Sequence, residues 1–351
     1  MAKTTYDQAA TDLRRFDERL DGLFARALEK RPLRTKQYAF GKLRLQVEWP
    51  EGLYPDFLRP MDFAGAGDSA TADLTVRLLD SVGAGVPVPR PTFPISALGP
   101  RCDLRSGDYL LEMRTWLAIL YTYSLRRRLG YYWYRDAARL PWWEGSFPLR
   151  QHFHWYGVHS AYQAAHAGAV GLAEGGVIIV GKSGSGKTTS TLACLGSDLF
   201  YAGDDYILME EQADAAWRVH TLYDTAKLKP EDLDRFPQLA PHCINRDKLP
   251  LQKAIFQVNE HWPASMTRGF PLKAILVPRI TGQAETQLRP APASAAMMAL
   301  APTSILQFAG GGRSAFTKFA KLCEKVPCYY LDAGTHMPGI PRAITRFLES
   351  A

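Results

Sequence analysis

Residues 5 to 30 carry Leu13, Phe16, Leu20, Leu23, Phe24 and Leu28 at three- and four-residue spacings, with arginine and aspartate between them. That period predicts an amphipathic helix. The period then drops to two: Leu43, Leu45, Val47 and Trp49, and again Leu74, Val76 and Leu78, take alternate positions and predict strands of a partly exposed sheet. Pro87, Pro89, Pro91, Pro94 and Pro100 break the pattern and predict a loop. From about residue 157 the chain reads as α/β, with VIIV at 177 to 180 as a strand, a glycine-rich turn, a helix over TTSTLACL and a short apolar run, LFYAG. The LFYAG strand is expected beside VIIV. AIFQV and AILV predict further strands, and SAFTKFAKLCEKV predicts a helix with the strand YYL after it. The expected organisation is a smaller α+β domain over residues 1–150, then an α/β domain over 151–351, with no internal repeat.

Composition sharpens this only slightly. The 351 residues suffice for two cores, and 46% apolar with 22% charged residues is an ordinary globular balance. The opening MAKTTYDQAATDL has no basic segment leading into an apolar stretch, and no run of about 18 uncharged apolar residues occurs, so a cytoplasmic protein without a membrane span is expected. Cys102, Cys194, Cys243, Cys323 and Cys328 are odd in number and form no C-x-x-C pair, which points to reduced thiols rather than disulfides or a zinc knuckle. A formal charge of +7 favours anionic partners in general: nucleotide, nucleic acid, acidic peptide or anionic lipid.

Between Trp116 and Trp155 lie Arg126 to Arg128, Tyr131 to Tyr134, Arg135, Arg139, Trp142 and Trp143. Aromatics interleaved with arginine can stack on bases or grip a peptide, and they can equally pack as amphipathic structure. No nucleic-acid fold signature accompanies them, so nucleic acid is not the expected partner.

The most specific pattern is VIIVGKSGSGKTT. It fits G-x-x-x-x-G-K-[ST] with Gly181, Gly186, Lys187 and Thr188, after an apolar strand and before a helix, as a phosphate-binding loop requires. Glycines at 181, 184 and 186 would let successive backbone N–H groups and the helix start approach phosphate oxygens. Lys187 would neutralise β/γ-phosphate charge, and Thr188 would offer its hydroxyl to magnesium. Sixteen residues after Thr188, Asp204 and Asp205 end the LFYAG strand. One carboxylate can hold magnesium while the other takes the proton of an attacking hydroxyl.

The stretch from His166 to Met209 resembles the catalytic core of the HPr kinase/phosphorylase family and its serine-kinase relatives: an H-A element before a strand, the phosphate loop, then an acidic pair. A looser likeness runs through YDTAKLKP, PLKAILVPRI and VPCYYLDAG, and FHWYGVHSAYQAAHAG is similar to the approach to that core. The resemblance implies an HPr-kinase/phosphoenolpyruvate-carboxykinase-like P-loop domain using ATP and Mg2+. It makes Gly181, Ser183, Gly184, Ser185, Gly186, Lys187, Thr188 and Thr189 the nucleotide site, Asp204 the base, Asp205 with Thr188 the metal ligands, and His166 a residue near the transferred phosphate. The roles of Asp204 and Asp205 could be exchanged. Phosphoenolpyruvate carboxykinases carry a similar loop, but their further metal-binding and substrate motifs are not evident, and neither is the signature segment of the bifunctional HPr enzymes.

Arg279, after an apolar strand, and Lys227 and Lys229 are candidates to meet phosphate or an anionic substrate, and GGGR at 310 to 313 is a candidate anion nest. The expectation is a kinase acting on a serine-type hydroxyl of a peptide or protein, with homo-oligomers left open. Small-molecule kinases or carboxykinases of the same fold are the enzymatic alternative, and a nucleotide-responsive binding protein is the non-enzymatic one.

Overall fold

The computed structural model describes residues 2–53, 56–67, 71–89 and 101–350, with side chains from residue 11 onward except those of 101–103. Pro91, Pro94 and Pro100 of the expected loop lie outside the described residues. Two compact units are present, Met1–Arg59 with Gly65–Tyr156, and Pro60–Ala64 with Gly157–Ala351. No helix among the described residues is long and apolar enough to cross a membrane.

The first unit begins with α1 (Ala2–Leu28), whose apolar stripe of Leu13, Phe16, Leu20, Leu23 and Phe24 is buried. Its strands are β1 (Leu33–Phe40), β2 (Leu43–Pro50), β3 (Leu74–Asp80), β4 (Arg101–Ser106), β5 (Tyr109–Arg114), β6 (Ile119–Ser124) and β7 (Leu129–Tyr134). They form one mixed sheet in the order β1-β2-β3-β7-β6-β5-β4. The α1 stripe packs on Leu79, Leu111, Leu120, Tyr131 and Trp133 of that sheet. Short helices α2 (Ser81–Ala84) and α3 (Trp142–Ser146) and the longer α4 (Arg150–Gly157) complete the unit.

In the aromatic and arginine-rich stretch the rings on β7 are packed, while Trp116 is exposed. Every residue of β6 and β7 is buried, so Tyr131 to Tyr134 are core rings on both faces of a strand and present no stacking surface. Arg126 to Arg128 form the exposed turn between these strands, and Arg127 is tied to Asp17 and Asp21 of α1. Beneath the sheet the buried Glu144 carboxylate meets Arg114 at 2.9 Å and Arg150 at 2.6 Å, a charge paired on two sides as burial demands.

The second unit is a mixed α/β structure. Its strands are β8 (Tyr162–Ala165), β9 (Ala167–Leu172), β10 (Gly175–Val180), β11 (Phe200–Gly203), β12 (Ile207–Glu211), β13 (Trp217–Thr221), β14 (Thr225–Leu228), β15 (Ala254–Gln257), β16 (Gly269–Ile280), β17 (Gln287–Pro290) and β18 (Cys328–Ala333). Nine of these build a sheet running β11-β9-β10-β16-β13-β12-β8, with β18 on β16 and β17 on β18, and β14 pairs with β15 apart from it. The helices are α5 (Lys187–Leu192), α6 (Val258–His261), α7 (Ala293–Ser304), α8 (Gly312–Lys325) and α9 (Gly339–Ser350). The sheet is covered by α7 and α8 residues on one core and by α9 on another, which is why β10 reads as an unbroken apolar run. One strand expectation is corrected. LFYAG does form β11, but β9 lies between it and β10, because the β9–β10 hairpin places its first strand on that side. Cys194, Cys323 and Cys328 are buried and Cys243 is half-buried, all as free thiols.

His152 of α4 is fully buried, with Nε2 at 3.1 Å from the Thr122 carbonyl and 3.3 Å from that of Tyr131, so the neutral ring donates to backbone. Burial pushes its pKa down from the ordinary 6.5 to about 4. The unfolded chain therefore takes up a proton near pH 6.5 that the fold refuses until about pH 4, so stability present above 6.5 is lost as pH falls through that window, by about 3 kcal/mol in all. His152→Gln keeps a donor but not the titration. Denaturant unfolding of parent and variant from pH 7 to 4 should show a flatter dependence in the variant, and parallel curves would contradict the neutral buried imidazole.

Candidate functional site

The loop from Gly181 to Gly186 joins the end of β10 to α5. Gly184 and Gly186 adopt φ of 80° and 97°, the left-handed region that a side chain resists, and a Cβ added at Gly184 would meet nothing within 4 Å. The loop is thus an open cradle of backbone. Ser183, Gly184, Gly186, Lys187, Thr188 and Thr189 line a cleft of about 440 Å3. Gly181 and Ser185 lie beneath it, where the Ser185 hydroxyl is buried without a partner and the Gly181 carbonyl accepts from Lys187 Nζ at 2.7 Å. The Lys187 ammonium also reaches the Lys182 carbonyl at 3.3 Å, so it is bound by carbonyl dipoles rather than by a countercharge. Burial lowers its pKa against the opposing pull of Asp205 and Asp204.

Gly168 explains how α5 comes to stand here. It lies on β9, and a Cβ at that position would fall 2.0 Å from Thr191 Oγ1 on α5, so only glycine lets the helix pack that closely on the strand.

Asp204 and Asp205 follow β11 directly, and the two differ sharply. Asp205 faces the cleft with a backbone φ of 69°, a left-handed conformation that aspartate tolerates better than most residues. Its oxygens meet Lys227 Nζ at 2.9 Å and His166 Nε2 at 3.1 Å. Burial works against its charge, yet Lys227 above all, with His166, holds its carboxyl well below the usual range. Asp204 is 1% exposed, and neither of its oxygens has a partner at hydrogen-bonding geometry, although Thr188 is close enough to temper its titration. Burial first, and the charge of Asp205 second, push its pKa up to about 7, against Lys187 and Lys227. Adjacent acids are thereby split into one permanent anion and one group poised to take or give a proton near neutrality.

His166 is fixed on three sides. Its backbone N–H donates to Ser304 Oγ at 2.9 Å, its Nδ1 lies 3.1 Å from Gln307 Oε1, and its ring stacks on Tyr206 at 5.0 Å. Lys227 comes from β14, paired with Ile255 of β15, and Lys229 and Lys253 stand just past the same end of that ribbon.

Arg279 is not brought to the cleft. Strand alternation turns Ile280 into the cleft and Arg279 away, where its guanidinium pairs with Asp332 at 2.7 Å and lies 3.9 Å over the Tyr330 ring. Gly310 and Gly311 take positive φ before α8, and none of Gly310 to Arg313 lines the cleft. The sequence reading did not single out Tyr206, Asp232, Arg235, Lys253 and Gln307, which also line it. No local motif marks them: Asp232 and Arg235 share one short 3-10 helix, and Tyr206, Lys253 and Gln307 arrive from separate segments. No group of three or more histidine, cysteine or acidic side chains placed to hold a metal occurs among the described residues, so a cation here would depend on few protein ligands, as magnesium ordinarily does beside phosphates. Thr188 and the charged Asp205, both on the cleft wall, offer hard oxygens that fit it.

No family model matches the chain, and no curated protein matches it. Among solved structures it is similar to the Hpr(Ser) kinase/phosphatase from Coxiella burnetii, with a TM-score of 0.31 and 12% identity, over 54% of this chain and 97% of that one. A likeness of that size carries no functional argument.

Gly168→Val should force α5 off β9. Overpacking of this kind costs about 1–3 kcal/mol, visible as a lower denaturation midpoint. An unchanged midpoint would contradict the close approach of helix and strand.

Proposed function

We propose that the protein is a magnesium-dependent P-loop phosphotransferase that moves the γ-phosphoryl group of ATP to a serine-type hydroxyl on a peptide or protein. The observation that carries this reading is the split carboxylate pair after β11, of which Asp205 lines the cleft of the glycine cradle and its lysine while Asp204 is buried next to it. A nucleotide-binding loop alone would suit many switches. A neighbouring acid with a pKa near 7 is what proton removal from a hydroxyl needs at neutral pH. The resemblance of the His166 to Met209 stretch to HPr-kinase-like serine kinases supports the same reaction class.

In this reading the backbone of Ser183 to Thr189 binds the phosphate chain, and Lys187 leaves its own loop carbonyls to lie against the β- and γ-oxygens. Thr188 and Asp205 would hold the magnesium ion, which when bound would supply positive charge against the phosphates. Lys227 and His166 keep Asp205 charged and oriented. Asp204 accepts the proton of the attacking hydroxyl as its oxygen bonds to the γ-phosphorus and the bond to the β–γ bridging oxygen breaks. Its lack of partners in the resting protein leaves it free to tighten onto the acceptor, since catalytic hydrogen bonds often form only in the complex.

Lys187→Ala removes the cation under the phosphates. Calorimetric titration should show Mg–ATP affinity reduced by about tenfold or more, with turnover reduced by about 10²–10³. Parent-like binding would remove the P-loop assignment.

Asp204→Asn should keep nucleotide affinity within a few-fold while lowering transfer by about 10² or more, and Asp205→Asn should raise the magnesium concentration needed for half-maximal rate. Rates measured across a magnesium series distinguish them. The reverse pattern exchanges the two roles, and parent-like transfer in both variants excludes the pair from the chemistry.

A further inference from the structure

Asp205 has a partner on each of its oxygens, Lys227 Nζ at 2.9 Å from Oδ2 and His166 Nε2 at 3.1 Å from Oδ1. A carboxylate held in its charged form only accepts hydrogen bonds, so the ring nitrogen that faces it carries a proton. The other nitrogen, Nδ1, faces the side-chain amide of Gln307 at 3.1 Å. That amide can present either end, because a half-turn about its terminal bond exchanges oxygen and nitrogen in nearly the same place. With oxygen towards the ring, Nδ1 would also have to donate, and His166 would be an imidazolium. With nitrogen towards the ring, Nδ1 accepts, and His166 stays neutral with its one proton on Nε2.

Charge decides between the two. Lys227 already matches the charge of Asp205, and Lys187 lines the same cleft. An imidazolium on the second oxygen would leave the carboxylate outnumbered by cations, at the place where the phosphotransferase reading needs a magnesium ion to bind. A neutral Nε2–H group orients the same oxygen without adding charge.

The surroundings of Gln307 suit a fixed donor. The chain between α7 and α8 carries it, and the last residue of α7 holds His166 a second time, where Ser304 Oγ accepts from the His166 backbone N–H at 2.9 Å. Phe308, next in the chain, packs edge-on against Tyr206, the ring on which His166 stacks. From Pro290 to Gly312 the sequence has no charged side chain, so no acid on this stretch competes with Asp205 for the imidazole proton.

We propose that Gln307 is a positioning residue: its amide N–H donates to His166 Nδ1, fixes the neutral Nε2–H tautomer and turns the ring proton onto Asp205, which stays oriented and negative enough to take the cation. The consequence for the cation rests on the phosphotransferase reading, whereas the tautomer is measured without it. Removing an outer partner of a metal-ligating side chain typically costs about 10–100-fold in metal affinity or activity.

The test labels the histidines of the full chain with 15N and reads their ring nitrogens by multiple-bond proton–nitrogen correlation at neutral pH, with His166→Asn identifying the signals of residue 166. The parent should give the pattern of a neutral ring protonated on Nε2. Gln307→Glu, when ionised, offers Nδ1 only acceptors and should abolish that pattern, and Gln307→Leu should leave a mixture of tautomers. A doubly protonated ring or an Nδ1–H ring in the parent, or the parent pattern kept in Gln307→Glu, would overturn the assignment. Mn2+ binding in the presence of ADP, followed by the electron paramagnetic resonance of the free ion, is the second readout. Its Kd should rise by about tenfold in both variants while affinity for metal-free ADP stays within about threefold. Unchanged Mn2+ affinity with the tautomer lost would remove the positioning role. Should the parent transfer phosphoryl groups to no acceptor, the kinase reading falls, and the tautomer and the Mn2+ series still decide the role of Gln307.

Discussion

Two carboxylates placed next to each other and withdrawn from water repel one another, and the second unit is organised around that repulsion. Asp204 and Asp205 cannot both stay charged without cations close at hand. Lys227 from β14 supplies the countercharge for Asp205, His166 just before β9 adds a contact from its Nε2, and the charge of Lys187 on α5 acts on the pair from the phosphate loop. Asp204, which has no such partners, relaxes instead towards protonation. Removing one partner of a buried ion pair typically costs about 3–5 kcal/mol, so the elements that carry these cations are bound into one arrangement by the pair they surround. A surface acidic turn would need none of this.

The same constraint explains which parts of the site the sequence discloses. The phosphate loop is local: strand, glycines and helix are contiguous, so their chemistry is readable in thirteen consecutive residues. The acidic pair is contiguous too. Its partners are not, since His166 and Lys227 lie tens of residues away on either side of it, and the isolated lysine before AIFQV that lines the same cleft carries no periodic or motif signal. The placement of Arg279 beside Asp332 is illegible in the sequence for a related reason. A strand end delivers alternate side chains to opposite sides, and a sequence does not say which side Asp332 occupies.

Secondary structure was legible where one face of an element meets solvent. The α1 stripe and the alternation of β2 and β3 follow directly from a half-buried surface. Where both faces are covered the alternation vanishes, and β7, with LGYYWY buried throughout, reads as a ring-rich patch until its neighbours β3 and β6 are seen. Strand order escaped for a topological reason. Proximity in sequence suggested that β11 adjoins β10, but the hairpin partner β9 already occupies that edge.

The central claim is that the acid pair and the glycine cradle form one phosphoryl-transfer site. It is tested most directly by incubating the protein with Mg2+ and γ-18O-labelled ATP in the presence of mixed hydroxyl acceptors, then locating the label by mass spectrometry. The account predicts labelled phosphate esterified to a hydroxyl oxygen, with stoichiometric ADP. Nucleotide that binds and dissociates with no labelled ester on any acceptor would contradict it.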